Sequence, residues 1–263
     1  MSTRAARPSP AVRWTYAFVD RPAHLFERAC AFWTAVTDTE LSAPRGDEGE
    51  FVTLLPRAGT DACVKVQGVT AGDGGAHLDL AVEDVPAFVA EASRLGAGTA
   101  AAHEGWSVLR SPGGLSFCAV PWQGETERPP VVAGSRLDQV CLDLAPSVFE
   151  AEAAFWSALL PDWSSRPGSR SEFHVVEQPA GLPIRILLQR LDEERPDGAD
   201  QASAHLDLAC GTDVEAVRVR HERLGALLVA REPHWTVMRD PAGGLYCLTG
   251  RDPATGGLPR TAS

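Results

Sequence analysis

Apolar and polar residues follow two rhythms along this chain, and the changes between them mark its elements. Val12 to Asp20 is a nearly continuous apolar and aromatic run, which predicts a first strand. Leu25, Phe26, Ala29, Phe32, Trp33 and Val36 then recur at helical spacing, predicting a helix with one buried face and Pro22 in its first turn. Turn residues Ala43 to Gly49 lead to two short runs, Phe51 to Leu55 and Cys63 to Gln67, read as strands, and a last strand is expected near Val69. A second unit follows in the same order. His77 to Val82 reads as a strand, Asp84 as a helix N-cap, Val85, Phe88, Val89, Ala92 and Leu95 as a buried helix stripe, and Gly96 as its stop. Short strands are expected at Thr99 to Ala102, Trp106 to Leu109 and Leu115 to Val120, the last two joined by the turn Ser111-Pro112-Gly113-Gly114.

This pattern is then written again. Ala76-His77-Leu78-Asp79-Leu80-Ala81 returns letter for letter as Ala204-His205-Leu206-Asp207-Leu208-Ala209, and Phe32-Trp33 is matched by Phe155-Trp156. Trp106-Ser107-Val108 before Phe117-Cys118 is matched by Trp235-Thr236-Val237 before Tyr246-Cys247. A repeat this long is a whole small domain rather than a solenoid unit. The chain therefore divides into a tail (1–11), a first domain (12–121), a Pro- and Gly-containing linker (122–135), a second domain (136–250) and a polar tail (251–263). The second domain should carry strands at Leu137 to Leu144, Phe173 to Val176 and Ile184 to Gln189, a helix from Pro146 to Leu160, and a charged loop at Asp192 to Asp200. Each domain is a pair of βαβββ units, and the fold class is α+β.

Composition narrows the partners. A formal charge of −11 sets the chain against nucleic acid and anionic membrane, both of which would repel it. No apolar run approaches the roughly 20 residues of a membrane span, and Met1 to Pro10 has no signal-peptide core, so the expected setting is cytoplasmic. Cys30, Cys63, Cys118, Cys141, Cys210 and Cys247 form no CxxC and sit in apolar runs or a helix, the pattern of buried reduced thiols. Lys65 is the only lysine, all other basic residues being arginine.

Candidate chemistry lies on the repeated strand. Alternation puts His77 and Asp79 on one face and Leu78 and Leu80 on the other, and the same holds for His205 and Asp207. With the leucines turned to the helix, each His-x-Asp pair faces what its sheet curves around. Such a pair can ligate a metal, move a proton, or simply satisfy its own hydrogen bonds. Trp106 and Trp235 are either ligand-stacking or core residues. Gln67 and Gln189 match at strand ends and can bond a ligand carbonyl, and His221 sits on a helix stripe as a packing residue. His103, His174 and His234 have no counterpart in the other repeat.

Duplicated βαβββ units, the His-Leu-Asp-Leu-Ala strand followed by Glu83-Asp84-Val85, the Leu-Gly-Ala helix end and the final Asp-Pro-x-Gly turn resemble the vicinal oxygen chelate superfamily. The resemblance covers nearly all of residues 12 to 250 and implies two curved mixed-sheet cups with helices outside them. It includes glyoxalases, extradiol dioxygenases, and fosfomycin and bleomycin resistance proteins, so it implies a small-molecule partner without fixing the activity. Its metal-using members take ligands from the first, fifth and eighth strands. Here those positions fall on Tyr16, His77 and Ser116 in one domain and on Gln139, His205 and Leu245 in the other, with the eighth-strand glutamate absent from both.

A divalent metal (zinc, nickel, manganese or iron) is thus disfavoured, with His205 and Gln139 the better remnant. Two activities follow. One is a lyase- or isomerase-type enzyme using His205, Asp207, His77 and Asp79, a dioxygenase being disfavoured by the lost glutamate. The other is a metal-free protein that sequesters a small molecule, as bleomycin resistance proteins do, against Tyr16, Phe18, Trp106, Ser116, Cys118, Gln139, Gln189, Trp235 and Cys247. The fused pair of domains implies a monomer acting as a pseudo-dimer, or a homodimer.

Overall fold

A computed structural model of the chain describes residues 11–194, 196 and 202–258. The expected N-terminal tail, part of the charged loop and the last residues lie outside the described residues. The first domain contains β1 (Val12–Pro22), α1 (Phe26–Thr37), β2 (Thr39–Leu41), β3 (Phe51–Pro56), β4 (Val64–Val69), β5 (Gly75–Val82), α2 (Val85–Arg94), β6 (Gly98–His103), β7 (Trp106–Arg110) and β8 (Ser116–Pro121). The second contains β9 (Arg136–Leu144), α3 (Pro146–Leu159), β10 (Ser164–Pro167), β11 (Phe173–Glu177), β12 (Arg185–Arg190), β13 (Ala202–Ala209), α4 (Val214–Arg223), β14 (Leu227–Arg231), β15 (Trp235–Arg239) and β16 (Leu245–Thr249).

Each domain is one eight-stranded sheet, ordered β2-β3-β4-β1-β5-β8-β7-β6 and β10-β11-β12-β9-β13-β16-β15-β14. The two units of a domain join through an antiparallel pair at its centre, β1 with β5 and β9 with β13. Parallel partners flank that pair, β4 and β8 in the first sheet, β12 and β16 in the second. Cups are therefore built from consecutive units, and the strand carrying each His-x-Asp lies in the middle of its sheet.

Helix starts and stops follow local chemistry. Asp84 caps α2 by accepting from the Ala87 amide at 2.9 Å, as its place in the sequence implied. Pro22, expected in the first helical turn, instead ends β1, and a short 3-10 turn at Ala23–Leu25 leads into α1. The fourth strand of the first unit is also not where the apolar pattern placed it. Val69 closes β4, and the extra strands are β2 and β10, three and four residues long, directly after the helices. Such short edge strands carry too little alternation to be read. Asp38, in left-handed conformation at φ 50°, turns the chain from α1 into β2.

The helices pack between the two sheets, where unit one meets unit four and unit two meets unit three. Phe32 and Trp33 of α1 lie 5.8 and 5.3 Å, centroid to centroid, from Tyr246, and Phe117 lies 5.0 Å from Trp156. Each seam buries one carboxylate. In the first, Asp240 accepts from Arg21 at 2.9 and 2.6 Å and from the Trp33 indole at 3.1 Å. In the second, Glu152 accepts from the Trp156 indole at 2.8 Å and from the Gly113 amide at 2.6 Å. The repeat-related tryptophans are satisfied alike, by an acid on the turn in one seam and on the helix in the other. Where one seam has Asp240 and Ala29, the other has Ser111 and Glu152.

His221 is a packing residue, as its stripe implied: fully buried, Nδ1 2.9 Å from the Tyr246 hydroxyl. Burial, aided by the nearby Arg220 charge, lowers its pKa to about 4. The unfolded chain takes up this proton near the ordinary histidine value of about 6.5, the folded chain only near 4, so stability falls as pH drops through that window. The wild type should lose roughly 3 kcal/mol more than His221→Gln between neutral pH and pH 4. Urea unfolding across that range checks this, and parallel profiles would refute it.

Candidate functional site

The floor of each cup is set by strand register. In the second domain Cys141 of β9 lies opposite His205 of β13, Gln139 opposite Asp207, and Asp207 in turn opposite Cys247 of β16. Because alternate side chains share a face, Asp143, Cys141, Gln139, His205, Asp207 and Cys247 all point into the cup. In the first domain Phe18 lies opposite His77, Tyr16 opposite Asp79, and Asp79 opposite Cys118.

An aspartate on the neighbouring strand grips each histidine. Asp143 Oδ2 lies 2.8 Å from His205 Nδ1, and Asp20 Oδ2 lies 2.6 Å from His77 Nδ1. The opposite nitrogen, Nε2, faces the second aspartate, at 3.3 Å from Asp207 Oδ1 and 3.8 Å from Asp79 Oδ1. Both Oδ1 atoms are buried with no hydrogen-bond partner among the described residues. Burial alone would disfavour the His205 imidazolium, but the neighbouring Cys141 and the carboxylates of Asp143 and Asp207 outweigh it and raise its pKa well above the ordinary value. His77 shifts the same way, burial being outweighed by Asp20 and Asp79.

Beyond this shared core the cups differ. In the first, Lys65 Nζ binds Asp79 Oδ2 at 2.8 Å and stands 3.8 Å from the Tyr16 ring centroid, while Phe18 stacks on His77 at 4.2 Å. The Tyr16 hydroxyl donates to Glu125 of the linker, so the linker covers that side of the first cup. In the second, Gln139 donates to Asp207 Oδ2 and accepts from Arg185 at 2.7 Å. Arg251, expected to begin a polar tail, is buried and paired with Asp138. At the mouth of the second cup, Phe173 of β11 meets Trp235 of β15 edge-to-face at 5.9 Å, and Arg170 lies 5.7 Å from the Trp235 ring. Trp106 stacks on His103 at 4.0 Å, giving that histidine a neighbour within its own hairpin.

The remaining candidates sort by position. Cys247 Sγ lies 3.6 Å from His205 Nε2, and Cys141 Sγ 3.7 Å from Gln189 Oε1, which brings Gln189 to the floor. Ser116 and Leu245 begin β8 and β16, Leu245 being largely exposed at the rim. His174 bonds Ser165, and His234 is exposed. All six cysteines are buried and free. A cavity of about 250 Å³ lies away from both floors, between the start of β1, the end of α3 and the Pro179–Leu182 turn. The residues that sequence reasoning missed are Asp20, Asp143, Arg185, Arg251 and the paired role of Lys65. The matching Asp20 and Asp143 and the solitary lysine were the signals available.

Paired βαβββ cups with a fifth-strand histidine on the floor place this chain in the vicinal oxygen chelate superfamily. Within it, the chain belongs to the family of the glyoxalase-like domain, whose model matches residues 17–120 and again 139–249. No curated protein matches the sequence. Similar solved structures include the Mn(II)-bound glyoxalase from Novosphingobium aromaticivorans, with 16% identity, TM-score 0.59, and coverage of 95% of this chain and 86% of that one. The 2,2',3-trihydroxybiphenyl 1,2-dioxygenase from Sphingomonas wittichii strain RW1 is similar at 14% identity and TM-score 0.56, with 95% of each chain covered. A xylose isomerase-like TIM barrel/4-hydroxyphenylpyruvate dioxygenase fusion protein gives 11% identity and TM-score 0.60 over 92% of this chain, which spans about half (49%) of that protein's length.

The metal set that the superfamily implies does not fit this chain. Gln139, half of the better remnant, has both ends of its amide engaged, by Asp207 and Arg185. Leu245 offers no donor atom, and the Tyr16 hydroxyl is held by Glu125.

Proposed function

We propose that the second cup, in the domain taken as residues 136–250, binds a small oxygenated organic molecule and that His205 moves a proton to or from it, a lyase- or isomerase-type reaction. The observation that carries this reading is the imidazole fixed between two carboxylates, Asp143 on Nδ1 and Asp207 Oδ1 facing Nε2 at 3.3 Å, beneath an aromatic mouth. Asp143 sets the ring's orientation and stabilises its charged form, as an acid behind a catalytic histidine does. Asp207 offers a second oxygen to take or return the proton. Phe173 and Trp235 supply an apolar wall for the ligand's carbon skeleton. The first cup serves as scaffold in this reading, its floor held by Lys65 and one side closed by Glu125. Six free cysteines support a reducing, cytoplasmic setting.

The test needs no knowledge of the product. Small α-hydroxy carbonyl compounds and α-keto acids are incubated with the protein in deuterated water, and deuterium entering a carbon position is followed by NMR. Exchange catalysed by wild type supports proton transfer. A ligand bound tightly and recovered without deuterium ends the enzyme reading and leaves sequestration. The pairing of charged floor groups within each cup favours that second reading, since a protein that only binds needs no free acid or base.

A further inference from the structure

We propose that the linker and the first strand of the second domain form a binding site for a small oxyanion, phosphate or a short organic carboxylate, held between the guanidinium groups of Arg128 and Arg136 with the Thr60 hydroxyl beside them. None of these residues belongs to either cup floor, and the site does not depend on the proton transfer proposed above.

Three unused donors point to it. The Nε–H groups of Arg128 and Arg136 and the Thr60 hydroxyl are buried with no hydrogen-bond partner among the described residues. Burying a donor without an acceptor is costly, and more so when the group is charged. The backbone gathers these groups. Asp61 Oδ2 accepts from the Thr126 and Glu127 amides at 2.6 and 2.8 Å, and the Asp61 amide donates to the Glu127 carbonyl at 2.9 Å, so Thr60 and Arg128 are the next residues along two bonded segments. The linker then turns at Val132 and Ser135, whose amides donate to each other's carbonyls at 2.8 and 2.9 Å, and leads directly into Arg136. Both guanidinium charges act on the buried Cys63 thiol, three residues after Thr60. A cavity of about 30 Å³ opens there, lined by Thr37, Thr39, Cys63, Pro129, Pro130 and Arg136 among others. That space suits a small ion and is too small for a nucleotide.

Charge at this place is out of balance. Burial and the neighbouring Arg128 charge lower the Arg136 pKa, so the two cations stand close enough to oppose each other. The acids that act on Arg136 are engaged elsewhere, Asp138 by Arg251 and Asp252 by the Ala254 and Thr255 amides at 3.0 and 2.7 Å. Arg136 itself spends one nitrogen on the Ala254 carbonyl at 2.7 Å. A shortage of acids is not the reason, since the chain has 35 Asp and Glu to 24 Lys and Arg, and the buried Arg21 and Arg251 each hold a carboxylate. An oxyanion between the two guanidiniums would neutralise both and accept from all three donors. The planar fork of arginine N–H groups matches the oxygens of phosphate or carboxylate. Bound there, the anion fastens the linker to the second domain, and with it Glu125, which holds Tyr16 of the first cup.

The experiment is a calorimetric titration of the full chain with inorganic phosphate and, separately, with sodium acetate, in chloride at fixed ionic strength. Wild type should bind one equivalent of at least one of the two, and its thermal unfolding midpoint should rise with that anion. Arg128→Gln and Arg136→Gln should each weaken binding by about tenfold or more, the effect of losing a charge-assisted hydrogen bond. Arg166→Gln, which removes an exposed pair with Glu177, should leave binding unchanged. In chloride alone Arg128→Gln should unfold no more easily than wild type, because it removes one of two opposed charges; this separates loss of the site from loss of the fold. Saturation by phosphate alone identifies a tetrahedral oxyanion and saturation by acetate alone a carboxylate, and either result upholds the site. The absence of saturable binding of both anions to folded wild type overturns it, as does binding that survives undiminished in both glutamine variants.

Discussion

Asp240→Ala is expected to lower the unfolding free energy by about 3–5 kcal/mol, the usual cost of leaving one partner of a buried ion pair uncompensated. Arg21 is 1% exposed, and without Asp240 its guanidinium keeps only the Asp20 and Gly75 carbonyls, each at 2.7 Å. The Trp33 indole loses its acceptor in the same step, and so do the Ala242 and Gly244 amides, which Asp240 Oδ1 accepts at 2.9 and 3.1 Å. Gly244→Ala should act on the same pair from the other side, because a β-carbon there would overlap the Arg21 guanidinium. Both changes fall where the domains meet, so unfolding should stay a single transition at lower urea. A loss below 1 kcal/mol for Asp240→Ala would mean that this seam does not hold the domains together.

His205→Ala is expected to slow deuterium exchange into a bound ligand by about 10²–10⁴-fold, the range associated with a positioned acid or base. Asp143→Asn should cost less, because an amide oxygen can still accept from Nδ1 but no longer stabilises the imidazolium; Asp143 is a positioning residue. Its signature is a shift of the rate profile to lower pH, since the acids raise the His205 pKa and removing one lets it fall. Equal loss of rate at every pH in Asp143→Asn would point to damaged packing instead.

Much of this fold was legible because apolar periodicity and an exact hexapeptide repeat are local signals. The strand His77 to Val82 and the helix from Val85, with its Asp84 cap, stand where those signals place them. β2 and β10 were not legible, since three or four edge residues alternate too briefly. The His-x-Asp face was visible from strand alternation alone. Its partners were not: Asp20 and Asp143 reach their histidines across a strand pair, and Arg251 reaches Asp138 across more than a hundred residues. The exchange of Asp240 and Ala29 for Ser111 and Glu152 likewise becomes meaningful only once the helices are seen packed between the sheets.

The central claim is that one cup works and the other supports it. Deuterium exchange into an α-hydroxy carbonyl ligand, measured side by side for His205→Ala and His77→Ala at matched ligand occupancy, tests that most directly. The account predicts exchange slowed by about 10²–10⁴-fold in His205→Ala and retained in His77→Ala; loss in His77→Ala with His205→Ala unaffected would contradict it.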